Sequence, residues 1–287
     1  MKNQNVISIE YERYLQKPLL YNDQNPLKTI PRININTTDP NIPKSIIIPL
    51  KIVYILVLMK SKKTIAIIPA RSGSKSIRNK NIQLLANKPL IAWSIDACLK
   101  SKQISKIYVS TDSNKYANIA KKFGPVEILH RPKNLSTDYT TDYEMIQHAI
   151  QNIDFNYEFI AHIRPTTPLR KVVDLDIAIK KFIKSSSNSL RSVHEMSETS
   201  YKSVEIINGK LKSLKNLKLN MDDLNAPRQS FNKTYMPNGV IDILKKKFII
   251  KNKLLFGKRV KAYKTSFSPE IDTMEDFKYI EFLCQKK

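Results

Sequence analysis

Basic and hydroxyl side chains cluster directly after the apolar run at residues 65–68, in the sequence PARSGSKSIRNKN. They include Arg71, Ser74, Lys75 and Lys80. A loop at the carboxyl end of a buried strand brings backbone N–H groups and cationic side chains to one point, which suits a polyphosphate. The segment has neither the Gly-Lys-Ser/Thr spacing of a P-loop nor G-x-G-x-x-G. A solvated basic turn therefore remains the alternative at this stage.

Gly73 lies inside this loop, in a chain that has only 5 Gly among 287 residues. A glycine retained in such a glycine-poor chain is expected where the backbone needs a conformation that other residues avoid. We therefore expect Gly73 to meet a backbone requirement of the loop.

Further charged and hydroxyl residues follow other predicted strands. The cations are Arg131, Arg164 and Arg170, and we expect them to face the same crevice as the first loop. Asp112, Glu270 and Asp272 are acidic positions that could hold Mg²⁺ next to phosphates.

Thr166 and Thr167 suit a ribose, a base or a phosphate. The histidines lack metal-ligand spacing, and no G-x-S-x-G supports a serine hydrolase.

Strand and helix patterns alternate from residue 64 to residue 183. Strands are predicted at 65–68, 106–110, 126–130 and 157–163, and a helical pattern follows each of them. This alternation predicts an α/β fold with a largely parallel sheet. Ligands of such sheets bind beyond the carboxyl ends of the strands. The loops at 64–82, 111–113, 131–142 and 164–170 should therefore line one crevice.

The pattern changes after residue 189. Two strand-like segments flank Asn208-Gly209, a dipeptide typical of a two-residue hairpin turn. We interpret about 189–235 as a small antiparallel insertion suited to a subunit contact. Strands are predicted at 240–244 and 259–266, and a final helix is predicted to begin at a capping box formed by Thr273 and Asp276.

Composition bounds the class of protein. The formal net charge is +24, but the lysines are spread along the whole chain, so we expect solvated basic faces and no nucleic-acid partner. Cys98 and Cys284 lie in apolar helical patterns, which predicts buried thiols and no disulfide framework. Free thiols fit a reducing compartment, so we expect a cytoplasmic protein.

The first 58 residues lack sustained periodicity and are rich in Asn, Pro and Thr, which predicts an irregular or disordered extension. The apolar run at 46–58 is too short to span a bilayer, so no membrane partner is expected. A domain would begin naturally at Met59 and run to residue 287. Our hypothesis is that residues 1–58 are an upstream extension that need not be translated; N-terminal sequencing of the native protein tests it.

The motifs from about residue 62 to 283 together resemble one family. They are IIPARSGSKSIRNKN, VSTDS, RPKNLSTD, RPTTPLR, PRQ…PNG and EIDTMEDF, in that order. This pattern resembles the CMP-sialic acid synthetases, or acylneuraminate cytidylyltransferases. The resemblance implies a Rossmann-like fold of the nucleotide-diphospho-sugar transferase type, a homodimer and Mg²⁺ dependence. It also implies that CTP and a nine-carbon 2-keto sugar acid react to give the CMP-sugar and pyrophosphate, for surface glycan assembly.

The resemblance also implies roles for individual residues. The implied CTP ligands are Arg71, Ser74, Lys75, Lys80, Asn81, Arg131 and Thr166. The sugar acid would meet Arg228, Gln229 and Asn238, with Lys202 reaching in from the partner subunit. Glu270 and Asp272 match the metal-binding pair. Arg71 and Lys80 would stabilise charge during the reaction, and Asp272 is our hypothesis for the group that deprotonates the attacking hydroxyl.

Three positions depart from the resembled pattern. Arg164 stands where Gln is usual, Glu270 replaces the first Asp of the metal pair, and Asp242 stands where an aromatic residue is common. These departures leave open a legionaminate-like or pseudaminate-like acceptor and an altered base preference. Two alternatives also stay open: cytidylyl transfer to the eight-carbon octulosonate, and a nucleotide-sugar-binding homologue without catalysis.

Overall fold

The computed structural model describes residues 32–34, 45–47, 63–214 and 219–285. The chain divides into two compact units, one ending at Ser61 and one beginning at Lys62. In the first unit, β1 (Arg32–Asn34) pairs antiparallel with β2 (Ser45–Ile47). The rest of the predicted extension, including most of the apolar run at 46–58, lies outside the described residues. None of the described helices is long and apolar enough to cross a membrane.

A seven-stranded sheet forms the centre of the second unit. Its strands are β3 (Thr64–Pro69), β6 (Ile104–Thr111), β7 (Glu127–His130), β8 (Phe159–His162), β9 (Ser189–Glu195), β12 (Tyr235–Lys245) and β13 (Val260–Lys264). They are arranged in the order β13-β9-β12-β8-β3-β6-β7. Only β12 runs antiparallel to its neighbours. The prediction of a largely parallel α/β sheet is confirmed.

Short antiparallel pairs lie outside the central sheet. One joins β4 (Leu84–Leu85) to β5 (Lys88–Pro89), and the other joins β10 (Val204–Ile207) to β11 (Lys210–Ser213). Asn208 and Gly209 connect β10 to β11 with φ values of 52° and 73°. Positive φ at both central residues is what a type I′ hairpin requires. The predicted hairpin is therefore confirmed.

Seven α-helices lie in the described part of the second unit. They are α1 (Leu90–Lys100), α2 (Asn114–Lys121), α3 (Asp142–Asn152), α4 (Val172–Ile183), α5 (Met221–Leu224), α6 (Lys246–Asn252) and α7 (Met274–Gln285). Ser113 caps α2 by accepting a hydrogen bond from the Tyr116 N–H. Asp276 and Thr273 bond reciprocally at the start of α7, as the predicted capping box requires.

The core lies on both faces of the sheet. Side chains alternate along β3, so Ala66 and Ile68 pack in the cluster with α1, α2 and α4, while Ile65 and Ile67 pack in the cluster with α3 and α6. All four side chains are fully buried, as the apolar run predicts. Cys98 is buried in the first cluster, and burial raises the pKa of its thiol to about 12. This thiol is a packing group in the core.

Candidate active site

The loops that follow β3 and β6 meet at the carboxyl edge of the parallel strands. The Ser72 N–H donates to Asp112 Oδ1 at 2.8 Å, and Ser72 Oγ donates to Asp112 Oδ2 at 2.7 Å. Both carboxylate oxygens of Asp112 therefore hold the first loop to the end of β6. This contact gives Asp112 a positioning role, where the sequence suggested a metal ligand. Ser74 lies half-buried in the same loop, and its N–H donates to Ser72 O.

Two of the predicted phosphate-binding cations converge on one exposed carboxylate. Arg71 Nη2 lies 2.6 Å from Asp138 Oδ1, and Lys75 Nζ lies 2.7 Å from Asp138 Oδ2. Hydrogen bonds from Lys75 and Arg71 lower the pKa of Asp138 below its ordinary value. The pair of cations thus already binds an anionic group where the sequence predicts a polyphosphate. Asp138 was not among the predicted site residues, although the loop after β7, which contains it, was predicted to line the crevice.

Lys80 joins the first loop to a segment near the end of the chain. Its Nζ donates to Ile271 O at 3.0 Å across 191 residues of sequence and lies 3.5 Å from Asp272 Oδ1. The Lys80 side chain is only 12% exposed, whereas that of Asp272 is 75% exposed. Asn81 is buried beside it and donates from Nδ2 to Arg71 O at 3.0 Å. These contacts bring four of the predicted site residues together.

The second acidic residue of this edge, Glu270, is held by the loop after β8. Thr166 Oγ1 donates to Glu270 Oε1 at 2.7 Å, and the Ile271 N–H donates to Thr166 O at 2.8 Å. Glu270, Asp272, Thr166 and Lys80 therefore lie around one short segment. The structure brings the predicted metal pair next to the predicted nucleotide residues.

The donor set of this edge suits Mg²⁺ bound jointly with a phosphate. The described residues contain no cluster of three or more His, Cys, Asp or Glu side chains able to hold a metal. Mg²⁺ is usually bound by one or two carboxylates, with substrate phosphates and waters completing the octahedron. Glu270 and Asp272 are hard oxygen donors of that number. They fit Mg²⁺ that arrives with a triphosphate.

Arg131 lies beneath the crevice. It is 7% exposed, and its Nη2 donates to Ser110 O at 3.1 Å. Its Nε has no hydrogen-bond partner among the described residues. Burial lowers the pKa of the Arg131 guanidinium, although the charge of Asp112 opposes that shift. Arg131 is thus a buried cation with an unused donor, close to Asp112.

Two of the arginines predicted to face the crevice are bound by the protein itself. Arg170 is buried and donates to the backbone oxygens of Arg164, Thr167 and Val240, with its Nη1 2.8 Å from Val240 O. Arg164 donates to Asp142 Oδ2 and Asp242 Oδ2, both at 2.7 Å. We expected both cations to face the crevice, but the protein's own groups already satisfy them: backbone carbonyls bind Arg170, and the carboxylates of Asp142 and Asp242 bind Arg164.

Arg164 and Asp242 are two of the three departures from the resembled sequence pattern, and they bond to each other. They lie 78 residues apart in sequence, and their side chains form an ion pair at 2.7 Å. A buried carboxylate such as Asp242 needs a cationic partner, and Arg164 supplies it. The two departures are therefore one paired change.

The residues assigned to the sugar acid lie in two places. Asn238 is buried. Its side-chain Nδ2 donates to Thr265 Oγ1, and its backbone oxygen accepts a hydrogen bond from Thr167 Oγ1. Arg228 and Gln229 are exposed, and Arg228 Nη2 donates to Met196 O. Lys202 lies 5.8 Å from the centroid of the Phe231 ring. Arg228, Gln229 and Lys202 thus lie near the ends of β9 and β12, and no contact links them to the first loop in the described part of the chain.

Comparison with known proteins identifies the family of the chain. A family model described as Cytidylyltransferase matches residues 65–287. The chain belongs to this family. The N-acylneuraminate cytidylyltransferase of Escherichia coli is 36% identical over 230 residues, which cover 78% of this chain and 53% of the relative. The resemblance found in the motifs is therefore confirmed.

Two further matches extend the comparison. The pseudaminic acid cytidylyltransferase of Campylobacter jejuni is 37% identical over 136 residues, or 46% of this chain and 59% of the relative. A solved CMP:2-keto-3-deoxy-manno-octonic acid synthetase complexed with CTP matches with a TM-score of 0.60 at 14% identity, covering 78% of this chain and 99% of that chain. At that identity the match shows the fold alone. The chain spans about half the length of the first curated relatives.

Within this cytidylyltransferase fold, Gly239 is the glycine that the site requires. Its φ is +62°, and a Cβ there would lie 2.7 Å from Thr167 Oγ1 and 3.4 Å from Glu270 Oε1. A Cβ at Gly73 would meet nothing within 4 Å, and Gly73 has no positive φ. The expected backbone requirement at Gly73 is therefore wrong for this structure, and it applies at Gly239 instead.

Gly239→Ala is expected to destabilise the protein and impair the site together. The left-handed conformation costs a non-glycine residue about 1–2 kcal/mol, and the contacts with Thr167 and Glu270 add to that cost. Thermal unfolding should show a fall in Tm of roughly 2–4 °C per kcal/mol, and catalytic turnover should fall as Glu270 moves. Gly73→Ala is the matched control and should leave Tm within about 1 °C. Equal effects of the two substitutions would contradict this account.

His162 should make stability depend on pH between about 4 and 6.5. It is fully buried, and its pKa is lowered from 6.5 to about 4. Burial is the main cause and the positive charge of Arg164 adds to it, while the negative charges of Asp142 and Asp242 act in the opposite direction. The unfolded chain binds this proton below pH 6.5 and the folded protein does not, so stability is complete above 6.5 and declines as pH falls toward 4.

Denaturant unfolding at pH 7 and pH 5 measures this loss. Wild type should lose about 1–2 kcal/mol from His162 over that interval. His162→Gln should remove that share of the pH dependence, whereas His130→Gln, at an exposed position, should leave it unchanged. An unaltered pH dependence in His162→Gln would show that folding does not shift the pKa of this imidazole, and it would contradict this account.

Proposed function

We propose that this protein transfers CMP from CTP to the anomeric hydroxyl of a nonulosonic, sialic-acid-like 2-keto sugar acid, giving the CMP-sugar and pyrophosphate. The single observation that carries the proposal is the contact of Lys80 with the 270–272 segment. This contact places a cation of the first loop beside the segment that carries the Glu270 and Asp272 carboxylates. In the same loop, Arg71 and Lys75 bind the anionic side chain of Asp138. The N-acylneuraminate and pseudaminic acid cytidylyltransferases among the relatives support the acceptor class.

The residues of the crevice suit an in-line displacement at phosphorus. The anomeric oxygen of the sugar forms a bond to the α-phosphorus, the bond from that phosphorus to the bridging oxygen breaks, and pyrophosphate leaves. Catalysis of phosphoryl transfer consists mainly of alignment and charge stabilisation. Arg71, Lys75 and Lys80 provide cations for the triphosphate, and Asp112 fixes the loop that carries them.

Asp272 is the proposed acceptor of the proton from the attacking hydroxyl. It is the more exposed carboxylate of the 270–272 segment, whereas Glu270 is held by Thr166. Glu270 and Asp272 would also hold Mg²⁺, which neutralises phosphate charge when bound. Asp272→Asn should lower turnover; retained turnover together with retained metal affinity would remove Asp272 from this role.

We also propose a homodimer in the cytoplasm, where CTP is available. The hairpin of β10 and β11 supports the dimer because its apolar side chains face solvent, with Ile206 76% exposed and Leu211 54% exposed. Lys202 lies two residues before this hairpin, next to the surface that a partner subunit would cover. Light scattering should give the mass of two chains, and Ile206→Lys should shift it toward one; a wild-type monomer would contradict the dimer.

A pyrophosphate-release assay tests the activity itself. Wild type is incubated with CTP, Mg²⁺ and a panel containing N-acetylneuraminate, legionaminate, pseudaminate and the eight-carbon octulosonate. We expect release with at least one nine-carbon acid and little with UTP, ATP or GTP. Release with the octulosonate alone would favour the alternative acceptor. Tight CTP binding without release would favour a homologue that lacks catalysis.

A further inference from the structure

A row of polar side chains crosses one face of the central sheet. Asp242 of β12 is paired in register with His162 of β8 on one side and with Arg191 of β9 on the other. Two residues further along the strands, Ile160 and Leu244 lie in the apolar cluster beneath α3 and α6. Polar groups on such a face are costly unless they are hydrogen-bonded or charge-paired. Their presence therefore needs an explanation in function or in structure.

Arg164 provides part of the compensation. Its Nη1 donates to Asp242 Oδ2, and its Nη2 donates to Asp142 Oδ2 at the first residue of α3. Arg191 Nε lies 3.4 Å from Asp242 Oδ1, so the two arginines face two carboxylates. The formal charges of this network, which we call the Arg164 network, sum to zero with a neutral His162. A ligand anion would gain no net attraction here.

The hydrogen-bonding capacity of the Arg164 network is not filled. Asp242 Oδ1, Arg191 Nε and His162 Nε2 have no hydrogen-bond partner among the described residues. Asp142 Oδ1 lies 3.9 Å from His162 Nε2, too far for a hydrogen bond. The Asp242 side chain is 1% exposed and that of Asp142 is 44% exposed. The network is thus closed at Asp242 and open at Asp142.

The open end lies beside the nucleotide residues. Asp142 follows the loop whose Asp138 binds Arg71 and Lys75, and its charge acts on Arg131. Arg164 precedes Pro165 and Thr166, and Thr166 bonds to Glu270. Asp142 is therefore an exposed carboxylate of the Arg164 network that lies close to a residue proposed to bind the nucleotide.

We infer that the Arg164 network determines which acceptor binds: Asp142 Oδ1 accepts a hydrogen bond from a neutral donor of the sugar acid, a hydroxyl or an acylamino N–H. Arg164 and Asp242 are positioning residues that fix the Asp142 carboxylate. The inference rests on the proposed function and adds a specificity-determining residue to it. An acid without a donor at that position would cover Asp142 Oδ1 and leave it without a hydrogen bond, which is what makes the selection strong.

Asp142→Asn and Asp154→Asn are the matched variants, since Asp154 is exposed beyond the end of α3. Loss of a hydrogen bond to a charged group weakens binding by a factor of roughly 10–100. We expect the KM of the preferred acid to rise by that factor in Asp142→Asn, with the KM of CTP changed less than about threefold. Analogues of the acid that lack the donor, in which a hydroxyl or an acylamino group is replaced by hydrogen, should be discriminated by wild type and Asp154→Asn, and hardly by Asp142→Asn. Equal discrimination in all three proteins would overturn the inference.

A charge-removal pair separates positioning from folding. Arg164→Gln leaves Asp242 buried without its main cation, so Tm should fall; adding Asp242→Asn should restore most of that loss, because the unpaired charge is gone. The double variant should still show the raised KM for the acid. A double variant with wild-type stability and wild-type acid KM would show that the Arg164 network is structural only.

Calorimetry with a non-hydrolysable CTP analogue distinguishes failure of this inference from failure of the proposed function. If wild type binds the acid without turning it over, and Asp142→Asn binds it more weakly, the proposed activity is contradicted and the specificity role is supported. Wild type that turns over, with acid affinity unchanged in Asp142→Asn, would support the activity and overturn the specificity role. Absence of both acid binding and turnover would overturn both.

Discussion

Lys80→Met will lower the rate of pyrophosphate release from CTP by about 100-fold or more. The side chain is nearly buried, and its Nζ lies between Ile271 O and the Asp272 carboxylate. A cation held there in advance stabilises negative charge that develops on the phosphates without reorganising during the reaction. Met retains much of the apolar stem and removes only the charge and the donors. The measurement is steady-state release at saturating CTP and acid, with circular dichroism to confirm folding.

Arg78→Met is the control for this experiment. Arg78 lies in the same loop but is exposed, so its removal deletes one positive charge without touching the 270–272 segment. Its rate should stay within about threefold of wild type, because an exposed charge is screened by solvent. Equal losses in the two variants would mean that the loop acts only through its overall charge. An unchanged rate in Lys80→Met would remove Lys80 from the site.

Arg170→Met should lower the free energy of unfolding by roughly 2–4 kcal/mol, since each hydrogen bond from a charged donor contributes about 1.5–3 kcal/mol. The guanidinium donates to three backbone oxygens, those of Arg164, Thr167 and Val240, and Arg170→Met removes all of these charge-assisted hydrogen bonds. Burial lowers the pKa of Arg170 to about 10, which reflects the desolvation that its removal would relieve. That relief offsets part of the loss, so the net change is smaller than the sum of the bonds.

Lys171→Met is the matched control for Arg170→Met. Lys171 is the next residue in sequence, and it is exposed. Its substitution should change the free energy of unfolding by less than about 0.5 kcal/mol. Urea unfolding followed by tryptophan fluorescence gives both values. If Arg170→Met were as stable as Lys171→Met, the buried guanidinium would not be holding the loop after β8.

Local sequence patterns were sufficient for the strands between residues 64 and 163 and for the gathering of the loops that follow them. They were not sufficient for residues 189–195, which we interpreted as part of an antiparallel insertion and which form β9 of the central sheet, parallel to β13. The run at residues 65–68 predicts a strand buried on both faces, and β3 is one. Asn208-Gly209 predicts a hairpin turn, and its two positive φ values follow from the same chemistry. In each case the signal and its structural consequence lie within a few residues of each other, so no distant contact is needed to interpret them.

The roles of the arginines could not be predicted in this way. Arg164 and Arg170 stand six residues apart in one basic loop, yet one pairs with carboxylates on α3 and β12 and the other with backbone oxygens. Those partners lie up to 78 residues away in sequence. Whether an arginine faces a ligand or the core depends on such distant partners, which local composition does not contain.

The two glycines show the same limit. Gly73 stands out because the chain has few glycines, yet its surroundings are open. Gly239 is needed because Thr167 and Glu270 crowd it, and both reach it from other parts of the chain. Rarity of a residue type is therefore a weaker guide to backbone need than the packing around each position.

The fate of the α-phosphate of CTP tests the central claim most directly. The protein is incubated with Mg²⁺, the acid that gives the fastest pyrophosphate release, and CTP labelled with ³²P at the α or the γ position. We predict that the α-label enters a product containing CMP joined to the sugar acid, while the γ-label appears only in pyrophosphate. Recovery of the α-label solely in free CMP or unreacted CTP, or of the γ-label in orthophosphate, would contradict cytidylyl transfer by this protein.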